Sequence, residues 1–301
     1  MDTPVTLQQL FNDVFSVSLF VMLITLVSGL GMGFAVTEVL APLRRVWVVL
    51  AALAINCLLV PVVTWVLCSV FPVSPEARIG LVLACMSAGG PAGLKAAQLT
   101  KRADMALAVS LTVLLQLANI VVAPLWAQAV VTGATINPGT IVLDLLVLVL
   151  IPLLVGLFIH ARYTEHAAGW RAELERVSNL ALYVAIVAGI AANWQPFISQ
   201  VGSWTIFVSI LLVLTFMGLG TLIGLRDRPT AFTGATVTGM RFTPLGMIVI
   251  ATQLDNNSAY LAPTLVMGLV TTFLIIGIGA EIGRRGVPRV PVGAADQAAA
   301  A

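Results

Sequence analysis

Apolar and polar residues follow each other along this chain in long blocks, separated by short polar turns. Runs of about 17–25 apolar residues, each long enough to cross a hydrocarbon core of roughly 30 Å, repeat from end to end. The charged segment 162–177 predicts an amphipathic linker at the membrane surface. The apolar runs predict nine transmembrane helices, at 14–37, 46–71, 78–100, 104–131, 140–160, 178–194, 202–225, 230–253 and 258–282.

Composition supports the same class. Hydrophobic residues make up 59% and charged residues 9% of the 301 residues, and the mean hydropathy is +1.05, whereas soluble domains carry about 25% charged residues. We therefore predict an all-α polytopic membrane protein that forms a single unit over 1–301, surrounded by the lipid bilayer and without a nucleic-acid partner. Cys57, Cys68 and Cys85 lie in apolar runs without paired spacing, so we interpret them as small buried residues.

Basic residues concentrate on one side of the predicted membrane. Twelve lie in alternate loops and in the tail, whereas the opposite side holds only Arg78. By the positive-inside rule, we predict an inner (plasma) membrane protein with its N-terminus outside and its C-terminus in the cytoplasm. No basic segment precedes the first apolar run, which is therefore expected to be a retained span. The segment 284–301 is basic and then rich in Pro and Ala, which predicts a disordered cytoplasmic tail.

Two spans are interrupted by Gly and Pro. They read "SAGGPAGLKAAQL" at 87–99 and "TVTGMRFTPLGMIVIATQL" at 236–254, and their ends "AAQL" and "ATQL" are 155 residues apart. Since these spans cross the membrane in opposite directions, we predict an inverted repeat with two unwound, crossing helices. Backbone groups freed in hydrocarbon must be satisfied by protein or water, and paired broken helices mark the binding sites of secondary transporters. The alternative is a pair of proline kinks without a ligand.

Two basic residues lie inside spans. Arg241 is 13 residues after Arg228 and 14 before Asp255, about 20 Å from either end, so it lies near the midplane. Such an arginine needs an anion, backbone carbonyls or water, which indicates either a functional role or a structural pairing. Lys95 lies six residues before Lys101, about 9 Å away, so it either faces a cavity at the break or extends to the inner surface.

The spans carry almost no counter-charge for these two cations. Asp144, near the predicted outer end of its span, is the only carboxylate inside a span and away from its edges. Two cations without an anion predict a site for an anionic substrate. Neutral hydrogen-bonding residues lie in the same layer, although each could equally make a contact between helices: Asn56, Thr112, Gln116, Asn119 and Thr243. The sequence shows no nucleophile–base pair, phosphate loop or metal-ligand spacing, so we expect no enzyme activity, metal or cofactor.

The segment "AGGPAGLKAAQLTKRADMALAVSLT" at 88–112 resembles the PGG crossover signature and following helix of the bile acid:sodium symporter (BASS) family, within the bile/arsenite/riboflavin transporter (BART) superfamily. "NCLLVPVVTW" at 56–65 and "LIPLLVGLFIH" at 150–160 are also similar. The resemblance covers nearly the whole chain and implies a secondary transporter that works by alternating access. It implies panel helices at 14–40 and 139–195 and core helices at 45–131 and 200–283, in which the two broken helices cross.

The chain departs from this family at the positions that bind two sodium ions. The resemblance implies that the family's Ser-Asn pair falls at Gly93 and Leu94, its glutamate at Val237 and its glutamine at Arg241. The glutamine of the second span becomes Asn56, and Thr112 matches a threonine near the first ion site. We therefore expect an atypical member that binds no sodium, in which Lys95 and Arg241 replace the two ions. The predicted site comprises Asn56, Pro91, Gly93, Leu94, Lys95, Thr112, Gln116, Arg241, Phe242, Thr243 and Pro244.

The leading hypothesis is a sodium-independent carrier of an organic anion, either a small or an amphipathic carboxylate of the bile-acid or pantoate kind. It would work by uniport, by anion exchange, or by proton coupling through Lys95. Arsenite efflux is the second hypothesis, with Cys85 as the candidate thiol. A sensor or scaffold without transport activity is the third.

Overall fold

The computed structural model describes residues 7–131, 137–200, 202–225 and 227–285. These residues form helices joined by short turns, and no strand occurs among them. The α-helices are α1 (Leu7–Met32), α2 (Val36–Leu40), α3 (Val46–Leu53), α4 (Val60–Val70), α5 (Pro75–Cys85), α6 (Ala92–Thr100), α7 (Met105–Val130), α8 (Pro138–Leu145), α9 (Ile151–Arg162), α10 (Thr164–Ala192), α11 (Trp194–Ser199), α12 (Trp204–Thr221), α13 (Arg228–Gly239), α14 (Thr243–Gln253) and α15 (Ser258–Arg285).

Eight helical segments in the described ranges are long and apolar enough to cross a membrane, which supports an integral membrane protein. The structure differs from the nine predicted spans at one place. The predicted span 78–100 consists of two half-helices, α5 and α6, and each is too short to cross the bilayer alone at 1.5 Å per residue. The count of nine spans and the inverted repeat stay predictions.

Two helices widen into a π-helical segment ahead of a proline. Residues Ala54–Leu59 join α3 to α4 just before Pro61, and Leu146–Leu150 join α8 to α9 just before Pro152. A proline has no N–H to donate and its ring crowds the carbonyl four residues earlier, so the helix accommodates it by widening. The carbonyl of Cys57, four residues before Pro61, instead accepts a hydrogen bond from Trp126 Nε1 at 2.8 Å.

The segment 162–177 is wrongly predicted as a separate linker. Its residues from Thr164 onward are the first half of α10, a single helix of 29 residues. Exposed pairs one turn apart link its charged side chains: Arg171 bonds to Glu175 and Arg176 to Glu173, both at 2.7 Å. Such pairs stabilise a polar helix, so the charge pattern that indicated a linker is also compatible with a helix that extends beyond the membrane.

The predicted disordered tail 284–301 begins too early. Helix α15 continues through Arg285, and Arg284 and Arg285 both pair with Glu281 one turn before them. Residues 286–301, the remainder of that predicted tail, lie outside the described part of the chain.

Glycines allow several helices to approach until their backbones touch. Helix α1 packs along α9 and α10, and a Cβ on Gly156 would lie 2.3 Å from the carbonyl oxygen of Ser28. Helix α12 packs on α13, where a Cβ on Gly220 would lie 2.2 Å from the carbonyl oxygen of Gly234. The half-helices α5 and α6 both pack on α15. The division into panel and core domains remains a prediction.

Candidate functional site

The first break lies between α5 and α6, where residues 86–91 leave the helical path. Gly89 has φ +75°, a conformation that favours glycine, and a Cβ there would lie 2.8 Å from the carbonyl oxygen of Thr112. Helix α7 holds this segment through two side chains. Asn119 accepts from Ala88 N at 3.0 Å and donates to Ala88 O at 2.9 Å, while Gln116 Nε2 donates to Gly89 O at 3.0 Å. The side chains of α7 thus replace helical hydrogen bonds at the break.

The second break, at residues 240–242, crosses the first. Ser87 Oγ donates to the carbonyl oxygen of Phe242 at 2.6 Å, and Phe242 N donates to the carbonyl oxygen of Ser87 at 3.1 Å. The two unwound segments are therefore bonded directly to each other. Since Ser87 and Phe242 are both buried, the crossing lies inside the protein.

Arg241 lies at this crossing and is completely buried, with 0% of its surface exposed. Its Nε and Nη2 both donate to the carbonyl oxygen of Cys85, at 3.0 and 2.7 Å. Its Nη1 donates to Asn56 Oδ1 at 2.8 Å and to the carbonyl oxygen of Thr238 at 3.3 Å. The guanidinium carbon also lies 5.7 Å from the ring centre of Phe216, a cation–π distance. Arg241 therefore donates hydrogen bonds to the carbonyl of the last residue of α5, which lacks a helical N–H partner because the helix breaks there.

Asn56 fixes the position of this guanidinium group. It projects from the π-helical segment before α4, and its Nδ2 donates to Thr238 Oγ1 at 3.0 Å and to Ala52 O at 2.9 Å. The Asn56 amide therefore links three elements around the arginine charge. No carboxylate in the described ranges forms an ion pair with Arg241. Carbonyl and amide dipoles and an aromatic ring surround the cation.

Most of the other predicted site residues shape the crossing. Pro91 and Pro244 stand at the starts of α6 and α14, where a missing N–H costs no helical bond. A Cβ on Gly93 would lie 3.1 Å from Met240 Cβ, so glycine lets α6 pack closely on α13. Thr243 Oγ1 is close to Gly268 of α15, 2.8 Å from where a Cβ would stand.

Thr112 and Gln116 leave two buried oxygen atoms without a partner in the described structure, Thr112 Oγ1 and Gln116 Oε1. The two residues are four apart on α7 and so lie on the same face, next to Gly89. The loss of the family's sodium sites stays a prediction. Gly93 and Leu94 have no side-chain oxygen and Val237 is apolar. Arg241 donates a hydrogen bond to the carbonyl oxygen of Cys85.

Lys95 is not brought together with Arg241. It lies on the exposed face of α6, whereas Gly93 marks the face packed on α13. Lys95 makes no hydrogen bond or ion pair with another described residue. Gln98, three residues later, shares its exposed face. Lys95 is therefore an exposed cation on α6 without a partner among the described residues.

A cavity of about 450 Å³ opens beside this face of α6, toward the end predicted to be cytoplasmic. Its lining includes Leu94 and Gln98 of α6 together with Phe34, Glu38 and Arg171. Arg171 also lies with its guanidinium carbon 5.5 Å from the ring centre of Phe34. The sequence gives no indication that Arg171 borders this space, because α10 was expected to begin only after it.

The model of the sodium bile acid symporter family matches residues 19–218, which is 200 of the 301 residues. This match includes the first break and ends before the second. No curated protein matches the chain. Because the family model covers about two thirds of the residues, the chain belongs to the sodium bile acid symporter family.

Proposed function

We propose that the protein carries an organic anion across the membrane by alternating access, and that this transport does not need sodium. The observation that supports it most is the completely buried Arg241, bonded to the carbonyl of Cys85 and to the amide of Asn56 at the crossing. The guanidinium group binds carbonyl and amide oxygen atoms between two broken helices, as a bound metal ion would. Because Arg241 is covalently attached, the positive charge does not depend on the salt concentration.

The groups around Arg241 stabilise the charged form of its guanidinium group. An arginine at the centre of a bilayer costs several kcal/mol, and this cost rises when no dipoles surround it. Here the guanidinium group donates four hydrogen bonds of 2.7–3.3 Å to oxygen atoms of Cys85, Asn56 and Thr238. No carboxylate in the described part of the chain forms an ion pair with this guanidinium group, so the crossing attracts a negatively charged substrate.

Lys95 supplies the second charge in this proposal, at a different place from Arg241. Its ammonium is exposed and unpaired, on the face of α6 that it shares with Gln98 at the cavity wall. Lys95 itself does not line the cavity, so the proposal requires the carboxylate of a bound substrate to extend past Gln98 to this ammonium. The apolar wall residues Phe34, Leu94 and Met105 suit a substrate with an apolar body. The substrate class is therefore a carboxylate attached to a compact hydrophobic group.

The metalloid alternative receives less support. Cys85 is completely buried at the end of α5, and its carbonyl rather than its thiol meets Arg241. A thiol in that position does not border the cavity, so it is not placed to receive arsenite. Two cations are also a poor match for an uncharged ligand.

Uptake into proteoliposomes tests the proposal. The full chain is reconstituted, and a panel of radiolabelled monocarboxylates with small and bulky apolar groups is added in sodium buffer or in choline buffer. We expect saturable uptake of at least one carboxylate, with equal rates in both buffers. Uptake that stops when sodium is removed would contradict the role given to Arg241. If arsenite is transported and no carboxylate is, the proposed substrate class is wrong.

A further inference from the structure

The cavity beside α6 has two charged residues of opposite sign among its described lining residues, Arg171 and Glu38. Arg171 comes from α10 and Glu38 from α2, whereas α6 contributes Leu94 and Gln98. Most of the other lining residues are apolar. A carboxylate that enters this cavity therefore meets its cation on α10.

The guanidinium group of Arg171 is held in place from two directions. Its Nε donates to Glu175 Oε1 at 2.7 Å, and its Cζ lies 5.5 Å from the ring centre of Phe34, which also lines the cavity. A Cβ on Gly33 would lie 2.6 Å from Arg171 Nη1, so the group packs directly against the turn that follows α1. Because these contacts fix the charge before a ligand arrives, binding costs less conformational entropy.

One edge of this guanidinium group remains available to a ligand. Nη1 and Nη2 make no hydrogen bond with another residue in the described ranges, and 36% of the Arg171 side chain is exposed. Arg171 also borders a neighbouring pocket of about 310 Å³, and Glu175 lines that pocket but not the cavity. The ion pair with Glu175 therefore leaves the two Nη groups for the cavity, and their parallel N–H bonds match the two oxygen atoms of a carboxylate.

Glu38 places a negative charge in the same cavity. Its Oε2 accepts from Ala35 N at 2.9 Å, which holds the carboxylate at the start of α2. A ligand with one carboxylate can pair with Arg171. A second carboxylate on the same ligand would share the cavity with Glu38 and would find no further cation in the described lining. Like charges in one cavity disfavour such a ligand, so the lining selects against dicarboxylates.

We propose that Arg171 is a carboxylate-binding position of this cavity and that Glu38 restricts its ligands to monocarboxylates, an inference that rests on the proposed carrier function. The two oxygen atoms of the ligand bind Nη1 and Nη2 of Arg171, and its apolar body packs on Leu94 and Met105. Because Lys95 lies outside the lining, a single carboxylate cannot occupy both cations together. The substrate binds Arg171 on α10 and Lys95 on α6 in turn.

Isothermal titration calorimetry on the full-length protein in nanodiscs tests this site with two probes. One is isocaproate, and the other is α-methylglutarate, in which a carboxylate replaces a terminal methyl group of isocaproate. We expect the wild type to bind isocaproate about tenfold more tightly, and Arg171→Gln to lose about tenfold in affinity for it. Arg176→Gln is the matched control, because Arg176 pairs with Glu173 on the same helix but does not line the cavity, and it should bind isocaproate like the wild type.

Two glycines of the α1 region provide a second test that leaves every charge in place. In Gly33→Ala the new methyl group displaces Nη1, the flexible end of Arg171, so affinity for isocaproate should fall while the melting temperature changes little. Gly29→Ala is its control, since a Cβ there would lie 3.8 Å from Leu174 Cβ of α10, an ordinary contact, and affinity should be kept. This pair decides the matter if Arg171→Gln does not fold.

Glu38→Gln tests the restriction to monocarboxylates. The amide oxygen of glutamine can still accept from Ala35 N, so the turn should hold while the negative charge is lost. This variant should bind α-methylglutarate about as tightly as isocaproate. A preference for isocaproate that is unchanged in Glu38→Gln would overturn the role of Glu38.

Equal affinity of wild type and Arg171→Gln for isocaproate would overturn the proposal, as would a wild type that binds neither probe. Uptake into proteoliposomes separates this site from the carrier function. If isocaproate binds in the expected pattern but no anion is taken up, the site is supported and the carrier function is contradicted. If wild type and Arg171→Gln take up a carboxylate with the same KM, the carrier function is supported and the site is overturned.

Discussion

Ser87 and Phe242 exchange hydrogen bonds between the two unwound segments, one from the Ser87 hydroxyl at 2.6 Å and one from the Phe242 N–H at 3.1 Å. The two residues are 155 positions apart, which is the spacing of "AAQL" and "ATQL" in the sequence. Residues at matching places of the two similar segments thus meet at the crossing. Such pairing is expected where two inverted halves are related by an axis through the point of contact.

Replacing Ser87 by Ala removes the shorter of these bonds. The carbonyl of Phe242 keeps only the N–H of Leu245, at 3.1 Å, so we expect a loss of about 1–2 kcal/mol in the free energy of unfolding. Ser69→Ala is the matched control, since Ser69 Oγ donates to Trp65 O at 2.7 Å from an exposed position, and it should cost almost nothing. Unfolding in mixed micelles with increasing SDS measures both. Equal effects would mean that the crossing gains no stability from the hydroxyl.

The close approach of α12 and α13 predicts different effects for substitutions at two glycines of α12. A Cβ on Gly220 would lie 2.2 Å from the carbonyl oxygen of Gly234, whereas a Cβ on Gly218 would meet no atom within 4 Å. Gly220→Ala must therefore push the helices apart and should destabilise the protein strongly. Gly218→Ala should be neutral or stabilising by up to about 1 kcal/mol, because alanine favours a helix. The same SDS titration ranks them, and a Gly220→Ala variant as stable as Gly218→Ala would contradict the helix contact.

The sequence could predict where the chain breaks but not what the broken ends bind. Gly89, Pro91 and Pro244 mark the interruptions because their effects on the backbone are local. The hydrogen-bond partner of Arg241, in contrast, has no local signal in the sequence. It is the carbonyl of Cys85, and every residue has a carbonyl, so nothing in the pattern identifies this one. Its exposure at the end of α5 depends on the fold.

Two other differences have a similar physical cause. The start of α10 at Thr164 lies among charged residues that also fit a surface linker, and the choice depends on pairs such as Arg171 with Glu175. The burial of Lys95 could not be judged from its distance to Lys101, because that distance does not show which face of α6 packs on α13.

Lys95 should contribute to substrate affinity and little to stability. Lys95→Gln removes an exposed ammonium that has no partner among the described residues, on the face of α6 that also carries the cavity-lining Gln98. The melting temperature should therefore stay unchanged, while KM for the carboxylate should rise by about tenfold, which corresponds to roughly 1.4 kcal/mol. Lys101→Gln changes the same type of residue beyond the end of α6 and should leave KM unaltered. Concentration series of uptake into proteoliposomes give both values. If the two variants behave alike, Lys95 does not meet the substrate.

The role given to Arg241 predicts that sodium dependence can be introduced. Arg241→Gln frees the Cys85 carbonyl and Asn56 Oδ1, and Val237→Glu adds a carboxylate one turn before it, at the two positions that resemble the family's sodium ligands. Hard cations bind such oxygen atoms. We therefore expect the double variant to take up the carboxylate in sodium buffer but not in choline buffer, unlike the wild type.

Two control variants separate charge from shape in that experiment. Arg241→Gln alone leaves the crossing without a cation or a carboxylate to bind one, so its uptake should be weak in both buffers. Val237→Gln with Arg241→Gln has nearly the same volume as the double variant but no negative charge, and it should also fail to respond to sodium. Only the double variant with the glutamate should respond to sodium, because only a carboxylate offsets the cost of bringing a cation to the buried site. Uptake by that pair at one rate in sodium and in choline would show that Arg241 does not stand in for an ion.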